Sequence, residues 1–361
     1  MTESQIFIAA IICIILAFVI ALFTTPLSIR ISKRVGVMDV PKDDRRMHDA
    51  PVPRLGGIAI FISFMASTLV LWAFISEGLV VDQDAAELIQ KLQAILIAGA
   101  LIFLLGIIDD VKGIRPRYKL LGQIGCAALA FALGIRIPAV TVFGWQFANE
   151  TDAGMFVSFI VTVVWIVAIT NMINLIDGLD GLAAGVVGIA ALAISYSAYI
   201  NGYPAAALAM VVIAGASFGF LPFNFYPAKI FMGDSGAMFL GFALASVSII
   251  SPAKGATVVA IIAPVLVLGV PLFDIVFAMF RRAQRKQSIF EADKGHLHHQ
   301  LTRIGIGQRR SALMLYGISG IMGIAAIVFS RELYLEAIGL FLIAVVFIMV
   351  LIWGWDKRKK E

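Results

Sequence analysis

The strongest constraint on this chain is a series of long apolar segments that recurs from one end to the other. Eleven can be drawn, and each is close to the length that a helix needs to cross a bilayer. Their approximate bounds are 5–28, 56–76, 92–108, 120–137, 156–175, 181–199, 204–221, 236–251, 256–280, 312–330 and 334–354. Because 61% of the 361 residues are hydrophobic and only 14% are charged, a water-soluble domain of this size is excluded. The predicted fold is all-α, a polytopic integral membrane protein with about eleven transmembrane helices.

The distribution of basic residues orients these predicted helices. The first segment has no basic residue before it, and Arg30, Lys33 and Arg34 follow it, which favours an N-terminus outside the cell. Eleven spans then place the C-terminus in the cytoplasm. With this topology, all but four of the 28 lysine and arginine residues lie on the inside, the exceptions being Lys91, Arg136, Lys254 and Arg331. We therefore expect a multi-pass protein of the plasma membrane, and no nucleic-acid partner for its basic charge.

The unusual polar residues also concentrate on the predicted cytoplasmic side. No soluble domain or clear internal repeat interrupts the apolar segments, so residues 1–361 form one predicted transmembrane domain. The polar segments between the spans lie at about 29–55, 109–119, 170–181, 222–235 and 281–311. The predicted outside segments contain scattered acids that are typical of solvated loops. We therefore expect the functional surface to face the cytoplasm.

One of these segments, NMINLIDGLDGLA, carries a polar residue at every third position: Asn171, Asn174, Asp177 and Asp180. This spacing places the four side chains along a slowly drifting face of a helix. A single asparagine there would be explained by hydrogen bonding between helices. Four polar groups in a line, two of them acids, more often mark a functional surface in a membrane protein.

A second segment, GIIDDVKG, ends a predicted span with two adjacent carboxylates, Asp109 and Asp110. Adjacent residues of a helix do not share a face, so the two acids should have different roles. An interfacial helix end with acids in water is the alternative. Lys112 and Lys119 follow closely, and acids together with lysines suit a metal-assisted phosphate site.

The segment FMGDSG places Asp234 among small residues immediately before another span. Small neighbours allow the backbone to approach a ligand closely, and a helix N-terminus offers free N–H groups to an anion. A simple helix cap is the alternative interpretation. Asn224 and Phe231 lie nearby in the chain and could hydrogen-bond and stack on a base, although a phenylalanine at the interface is also a common membrane anchor.

Three of the four histidines, His296, His298 and His299, cluster in the segment GHLHHQ. Their spacing does not match common zinc sites, and no cysteine is near. Hydrogen-bond donors to a diphosphate or sugar are the better interpretation, with Lys294 and Arg303 adding positive charge.

Taken together, GIIDDVKG, NMINLIDGLDGLA, FMGDSG and GHLHH resemble the motifs of the polyprenyl-phosphate N-acetylhexosamine-1-phosphate transferases. The resemblance runs from about residue 30 to residue 305, with the motifs in the family's order. It implies ten or eleven spans and transfer of a sugar 1-phosphate from a UDP-sugar to undecaprenyl phosphate, with release of UMP. It also implies Mg²⁺ or Mn²⁺ as the cofactor.

The resemblance carries roles onto individual residues. Asn174 and Asp234 match metal ligands, and Asp109 and Asp110 match an essential acidic pair. Lys119 matches a lysine near the phosphates. The predicted catalytic set is completed by His296, His298 and His299, and the predicted substrate contacts are Phe231 against uracil, Asp180 and Asn224 near the nucleoside, and Asp177, Lys112, Arg303 and His48.

The opening loop, MDVPKDDRRMHDAPVPRLGG, resembles the N-acetylglucosamine branch, which starts teichoic acid or O-antigen-type glycans. The implied partners are UDP-N-acetylglucosamine, undecaprenyl phosphate and the lipid bilayer. A homodimer is possible, and the sequence does not decide the oligomeric state. A transferase of UDP-muramoyl-pentapeptide, an ion-coupled secondary transporter and a non-catalytic scaffold are the alternatives. We expect direct attack by the lipid phosphate, with Asp109 or Asp110 orienting or deprotonating it; a covalent intermediate on one of them is the other route.

Overall fold

The computed structural model describes residues 3–40, 51–78, 85–137, 141–142, 145–146, 151–250 and 307–358. These residues form ten helices. Their bounds are α1 Glu3–Val35, α2 Gly57–Ser76, α3 Ala85–Lys112, α4 Pro116–Ala132, α5 Asp152–Ile176, α6 Leu182–Ile200, α7 Pro204–Asn224, α8 Gly233–Ile250, α9 Gln308–Ser330 and α10 Tyr334–Arg358. The predicted span 256–280 lies outside the described residues.

Two very short antiparallel strand pairs accompany the helices. β1 (Met38–Asp39) pairs with β2 (Val52–Pro53), and β3 (Thr141–Val142) pairs with β4 (Trp145–Gln146). The first pair closes the loop between α1 and α2. Each strand has only two residues, so the fold is helical in character.

Eight of the described helices are long and apolar enough to cross a membrane: α1 to α3 and α5 to α9. The prediction of a helical, multi-pass membrane protein is therefore confirmed, whereas the count of eleven spans and the orientation of the termini stay predictions. Two of the helices extend well beyond the ends of their predicted apolar segments. α1 continues to Val35 and α3 to Lys112, so the predicted loops at 29–55 and 109–119 begin inside helices.

The helix α8 forms the centre of the described bundle. Its most apolar window is 94% buried, against 22% for that of α1. Phe239 of α8 meets the edges of Phe61 and Phe64 of α2, with ring centroids 5.2 and 5.3 Å apart, and Phe61 stacks on Phe103 of α3 at 4.0 Å. Such ring pairs add stabilisation beyond the area that they bury. They hold α2, α3 and α8 together at mid-length.

Small residues allow α1 and α7 to pack with their backbones in close approach. A Cβ on Gly215 would lie 2.6 Å from the carbonyl oxygen of Ile14, and one on Gly219 would lie 2.3 Å from that of Phe18. Ala17 of α1 faces the same seam. Within a membrane, close packing of this kind replaces the hydrophobic effect as the force that joins helices.

The N-terminus of α8 is also surrounded at very short range. A Cβ on Gly57 would lie 2.3 Å from the nitrogen of Gly236, and one on Gly106 would lie 2.4 Å from Cα of Ser235. Both neighbours are backbone atoms, so a larger residue could be accommodated only by moving a helix. The glycines of α2 and α3 therefore fix where α8 begins.

We expect Gly106→Ala to separate α3 from the start of α8, because the added methyl group overlaps the backbone of Ser235. The melting temperature in detergent should fall by about 5 °C or more, as overpacking predicts. Gly125→Ala is the matched control, since a Cβ there meets nothing within 4 Å. Equal melting temperatures for the two variants would contradict the close approach of α3 and α8.

Candidate active site

The polar motifs converge where α1, α3, α5 and α7 end and where α2, α4, α6 and α8 begin. Asp109 and Asp110 lie in the last turn of α3, and Lys119 lies in the first turn of α4. Asn174 lies near the end of α5, and Asp234 lies at the start of α8. Residues from segments far apart in the sequence thus meet at one end of the bundle.

The segment 53–57 runs alongside residues 231–232 and fastens the start of α8 to the start of α2. The Phe231 amide donates to the carbonyl of Pro53 at 2.8 Å, and the Gly56 amide donates to the carbonyl of Phe231 at 3.0 Å. The Gly57 amide donates to the carbonyl of Met232 at 2.9 Å. These bonds hold the backbone of Phe231 on both sides and bring PVPRLGG against FMGDSG.

Asp110 caps the N-terminus of α8. Its side chain is fully buried, and its two carboxylate oxygens accept hydrogen bonds from the amides of Asp234 at 2.8 Å and Ser235 at 3.0 Å. A carboxylate at this position satisfies amides that have no partner within their own helix and complements the helix dipole. Both oxygens of Asp110 are thus committed to positioning α8.

Five charged side chains form an alternating row at this end of the bundle, which we call the charge row: Asp110, Arg54, Asp234, Lys119 and Asp109. Arg54 lies between the first two carboxylates, with Nε 3.2 Å from Oδ1 of Asp110 and a terminal nitrogen 2.6 Å from Oδ2 of Asp234. Lys119 lies between the next two, with Nζ 2.5 Å from Oδ1 of Asp234 and 2.9 Å from Oδ2 of Asp109. Each cation is therefore shared by two acids.

Asp109 differs from its neighbour Asp110 in its partners. Its Oδ1 accepts a hydrogen bond from the amide of Ile114 at 2.6 Å, and its Oδ2 meets Lys119. It touches the turn between α3 and α4 rather than α8. The two adjacent acids therefore have different contacts, and the expectation that they have different roles stays a prediction.

Two asparagines on successive turns of α5, Asn174 and Asn171, form hydrogen bonds at this end of the bundle. Asn174 donates to Oδ1 of Asp234 at 2.7 Å and accepts from Lys119 at 3.2 Å. One turn earlier, Asn171 donates to Oε1 of Gln123 at 2.6 Å, which ties α5 to α4. Asn174 thus contacts two members of the charge row, whereas Asn171 supports the helix that carries Asn174.

Asp177 is half-buried at the end of α5. Desolvation raises the pKa of Asp177 well above the ordinary aspartate value, and the nearby charges of Asp234 and Asp110 raise it further. This carboxyl group therefore holds a proton to a higher pH than an aspartate in water would. It belongs to the same polar surface as the charge row.

Asp180 and Asn224 shape the turn that leads from α7 to α8. The Ala228 amide donates to Oδ2 of Asp180 at 3.0 Å, and the Asn224 amide group donates to the carbonyl of Ile230 at 3.0 Å. Asn224 is buried, and its Oδ1 has no hydrogen-bond partner among the described residues. The turn ends at Phe231, whose side chain is half-buried.

Lys112 lies exposed at the end of α3, and no hydrogen bond or ion pair of the described residues joins it to the charge row. His48, His296, His298, His299 and Arg303 lie outside the described residues, so their predicted roles stay predictions. Arg54 and Gln123 were missed as site residues from the sequence. The signal for Arg54 was its place two residues before the paired glycines of PRLGG, which bring the backbone against α8.

The donor set at Asp234 fits a hard divalent cation. Oxygens of Asp234, Asp109 and Asn174 converge on one cation, the ammonium group of Lys119. Carboxylate and amide oxygens suit Mg²⁺, which commonly takes one or two carboxylates and completes its shell with water and substrate phosphates. Among the described residues, no three His, Cys, Asp or Glu side chains form a metal cluster by themselves. Oxygens from a substrate would therefore have to complete such a site.

Comparison with known proteins places this chain in a family. A sequence model described as glycosyl transferase family 4 matches residues 92–252. The chain is 36% identical over 342 residues to the probable undecaprenyl-phosphate N-acetylglucosaminyl 1-phosphate transferase of Bacillus subtilis, which covers 94% of this chain and 91% of that protein. It is 36% identical over 336 residues to the decaprenyl-phosphate N-acetylglucosaminephosphotransferase of Mycobacterium tuberculosis, covering 86% and 80%.

A more distant relative acts in a different branch by its name. The chain is 29% identical over 312 residues to the phospho-N-acetylmuramoyl-pentapeptide-transferase of Halalkalibacterium halodurans, covering 80% of this chain and 88% of that protein. The higher identities thus belong to relatives that are named for N-acetylglucosamine.

Proposed function

The chain belongs to glycosyl transferase family 4, the polyprenyl-phosphate N-acetylhexosamine-1-phosphate transferases, and from this premise we propose that it transfers N-acetylglucosamine 1-phosphate from UDP-N-acetylglucosamine to undecaprenyl phosphate. In this reaction an oxygen of the lipid phosphate forms a bond to the sugar-linked phosphorus, and the bond to UMP breaks. The products are UMP and a lipid-linked diphosphate sugar. Membership in the family makes the chain an enzyme rather than a carrier or a scaffold.

The observation that carries this proposal is the charge row at the end of the bundle. The reaction brings two anions together, a lipid phosphate and a nucleotide diphosphate, so it needs fixed cations and a place for a metal ion. Lys119 and Arg54 supply the fixed charges, and each is held by two carboxylates. A site at the ends of membrane spans also suits a lipid substrate and a water-soluble one.

The contacts of the row support a division of roles. Asp234 and Asn174 are the proposed metal ligands, and a Mg²⁺ or Mn²⁺ ion bound there would supply positive charge to the diphosphate and the departing UMP. Lys119 would lie against the phosphates. Asp109 is the proposed acceptor of the lipid phosphate's proton, because it contacts Lys119, which would lie against the phosphates, whereas Asp110 caps α8.

The turn between α7 and α8 is the proposed nucleoside side of the site. Asp180 and Asn224 hold this turn, Asp180 by accepting from the Ala228 amide and Asn224 by donating to the carbonyl of Ile230. Phe231 would stack on uracil. The proposed contacts to the sugar and diphosphate are completed by Asp177, Lys112, His48, His296, His298, His299 and Arg303.

The place of the reaction follows from the charge distribution and the lipid acceptor. The positive-inside bias favours the plasma membrane with the site facing the cytoplasm, where nucleotide sugars are found. A lipid-linked diphosphate sugar made there would start a cell-envelope glycan of the teichoic acid or O-antigen type.

The donor sugar is tested with purified protein in detergent, undecaprenyl phosphate, Mg²⁺ and a panel of UDP-sugars. We expect UMP release with UDP-N-acetylglucosamine and at least about tenfold less with UDP-muramoyl-pentapeptide, a difference of roughly 1.4 kcal/mol in transition-state binding. Preference for the pentapeptide donor would overturn the sugar assignment. Incubation without acceptor is the control: a stoichiometric early release of UMP there would support a covalent intermediate instead of direct attack.

A further inference from the structure

Arg54 makes the only arginine bridge between two carboxylates among the described residues, and it joins the cap of α8 to the proposed metal ligand. We propose that Arg54 is a positioning residue for the transfer reaction: it holds one oxygen of Asp234 in place and keeps that oxygen from a bound cation until substrate arrives. This inference rests on the proposed function for the reaction that it serves. The effect of Arg54 on cation binding at Asp234 can be measured without that reaction.

The geometry requires an arginine rather than any cation. Nε forms an ion pair with Asp110 while a terminal nitrogen hydrogen-bonds Asp234, so two nitrogens of one planar group meet two carboxylates. A lysine carries a point charge at the end of a flexible stem and cannot hold both carboxylates in a fixed relation. The bridge therefore sets the orientation of Asp234 relative to the helix that Asp110 caps.

The backbone of Arg54 is itself anchored from two sides. Its amide lies 3.1 Å from Oγ of Ser32 and 3.2 Å from the carbonyl of Val37, both at the end of α1. Its carbonyl lies against Gly233, where a Cβ would come within 2.3 Å of it, and Gly233 has a φ of +71°, which favours glycine. Arg54 is thus fixed between α1 and the first residue of α8, with its side chain 38% exposed toward solvent.

Each carboxylate oxygen of Asp234 contacts a different basic side chain. Lys119 and Asn174 meet Oδ1, and Arg54 meets Oδ2. A divalent ion that binds Asp234 must therefore compete with a fixed positive charge at each oxygen, and like charges at this range repel strongly in a partly buried site. Replacing Arg54 removes a positive charge that competes with the metal ion for Asp234. It also removes the contact that holds the Asp234 side chain in position. Cation binding and catalysis should then change in opposite directions.

The experiment compares Arg54→Gln, Arg54→Lys and the control Arg34→Gln, an exposed arginine in the last turn of α1. Mn²⁺ binding is followed by electron paramagnetic resonance of the free ion, and kcat and KM are measured for UMP release. For Arg54→Gln we expect Mn²⁺ to bind about fivefold more tightly and kcat to fall roughly 30-fold. For Arg54→Lys we expect Mn²⁺ affinity within about twofold of the unchanged protein and a fall in kcat of roughly tenfold.

The combination separates a positioning role from a loss of structure. A merely structural arginine would, on removal, weaken Mn²⁺ binding and activity together, and that result overturns the proposal. So does an unchanged kcat in Arg54→Gln. If Arg54→Gln does not fold, as judged by its melting temperature, Arg54→Lys decides the matter: full activity overturns the proposal and a tenfold fall supports it.

Failure of the proposed function would look different. If the unchanged protein released no UMP from any donor, the function would be wrong, while the Mn²⁺ titrations would still report whether Arg54 competes for Asp234. The Arg34→Gln control should match the unchanged protein in every measurement, because Arg34 is exposed and no hydrogen bond or ion pair of the described residues joins it to the charge row.

Discussion

Asp234→Asn is expected to reduce UMP release by roughly a thousandfold, the largest effect of any conservative change in this chain. The substitution keeps the size of the side chain and removes the charge at the centre of the charge row. Lys119 and Arg54 then lose the carboxylate that they share, and the proposed metal ion loses its charged ligand. The measurement is kcat for UMP release at saturating UDP-N-acetylglucosamine.

The protein should remain folded in this variant. Lys119 keeps its bond to Asp109, Arg54 keeps its bond to Asp110, and the cap of α8 uses backbone amides rather than the Asp234 side chain. Glu87→Gln is the matched control, because Glu87 is 59% exposed and pairs only with Lys91 among the described residues, at the other end of α3. Near-normal turnover in Asp234→Asn would remove the metal assignment.

Asp109→Asn and Asp110→Asn are expected to inactivate the protein in two distinguishable ways. Asp110 accepts two amides of α8, and an asparagine would turn an N–H₂ group toward one of them. Leaving a buried donor unpaired costs roughly 1–3 kcal/mol, so Asp110→Asn should lower the melting temperature as well as kcat. In Asp109→Asn the amide oxygen can still accept from Ile114 and Lys119 keeps Asp234, so kcat should fall by roughly a hundredfold with a smaller change in melting temperature.

Melting curves and kcat for both variants, measured under the same conditions, check this division. Asp109→Glu supplies the control, since it retains the carboxylate and should recover part of the activity. If Asp110→Asn melted like the unchanged protein while Asp109→Asn did not, the capping and proton-accepting roles would have to be exchanged.

The apolar helices were predictable from the sequence because a membrane span requires about 20 consecutive, mostly apolar residues, and such a segment can be recognised without the structure. The helix ends were not, since α1 and α3 continue past their last apolar residues into polar turns. Asp109 and Asp110 look like residues of a loop in the sequence, yet they lie in the last turn of a helix. The length of an apolar segment indicates only the part of a helix that lies in the bilayer. The helix itself can continue beyond that part as long as its backbone groups find hydrogen-bond partners.

Some of the site residues could be predicted from the sequence for a different reason. Acids in apolar surroundings are costly, so Asp109, Asp110 and Asp234 stood out. Arg54 did not, because a basic residue on the predicted inner side is ordinary for a membrane protein. Its significance depends on the pairing of residues 53–57 with 231–232, a contact between distant segments that no local pattern contains. The separate partners of Asp109 and Asp110 could not be predicted either, because they depend on where α4 and α8 begin relative to α3.

The close seam between α1 and α7 bears on how the protein is made. The chain is synthesised from its N-terminus, so α1 enters the bilayer when its partner, about 200 residues later, does not yet exist. Its apolar surface can rest in lipid during that interval, but the backbone contacts at Ile14 and Phe18 must wait for Gly215 and Gly219. The end of α1 anchors Arg54. Because the charge row joins Arg54, held at the end of α1, to Asp234 at the start of α8, it cannot be complete until α8 has been synthesised.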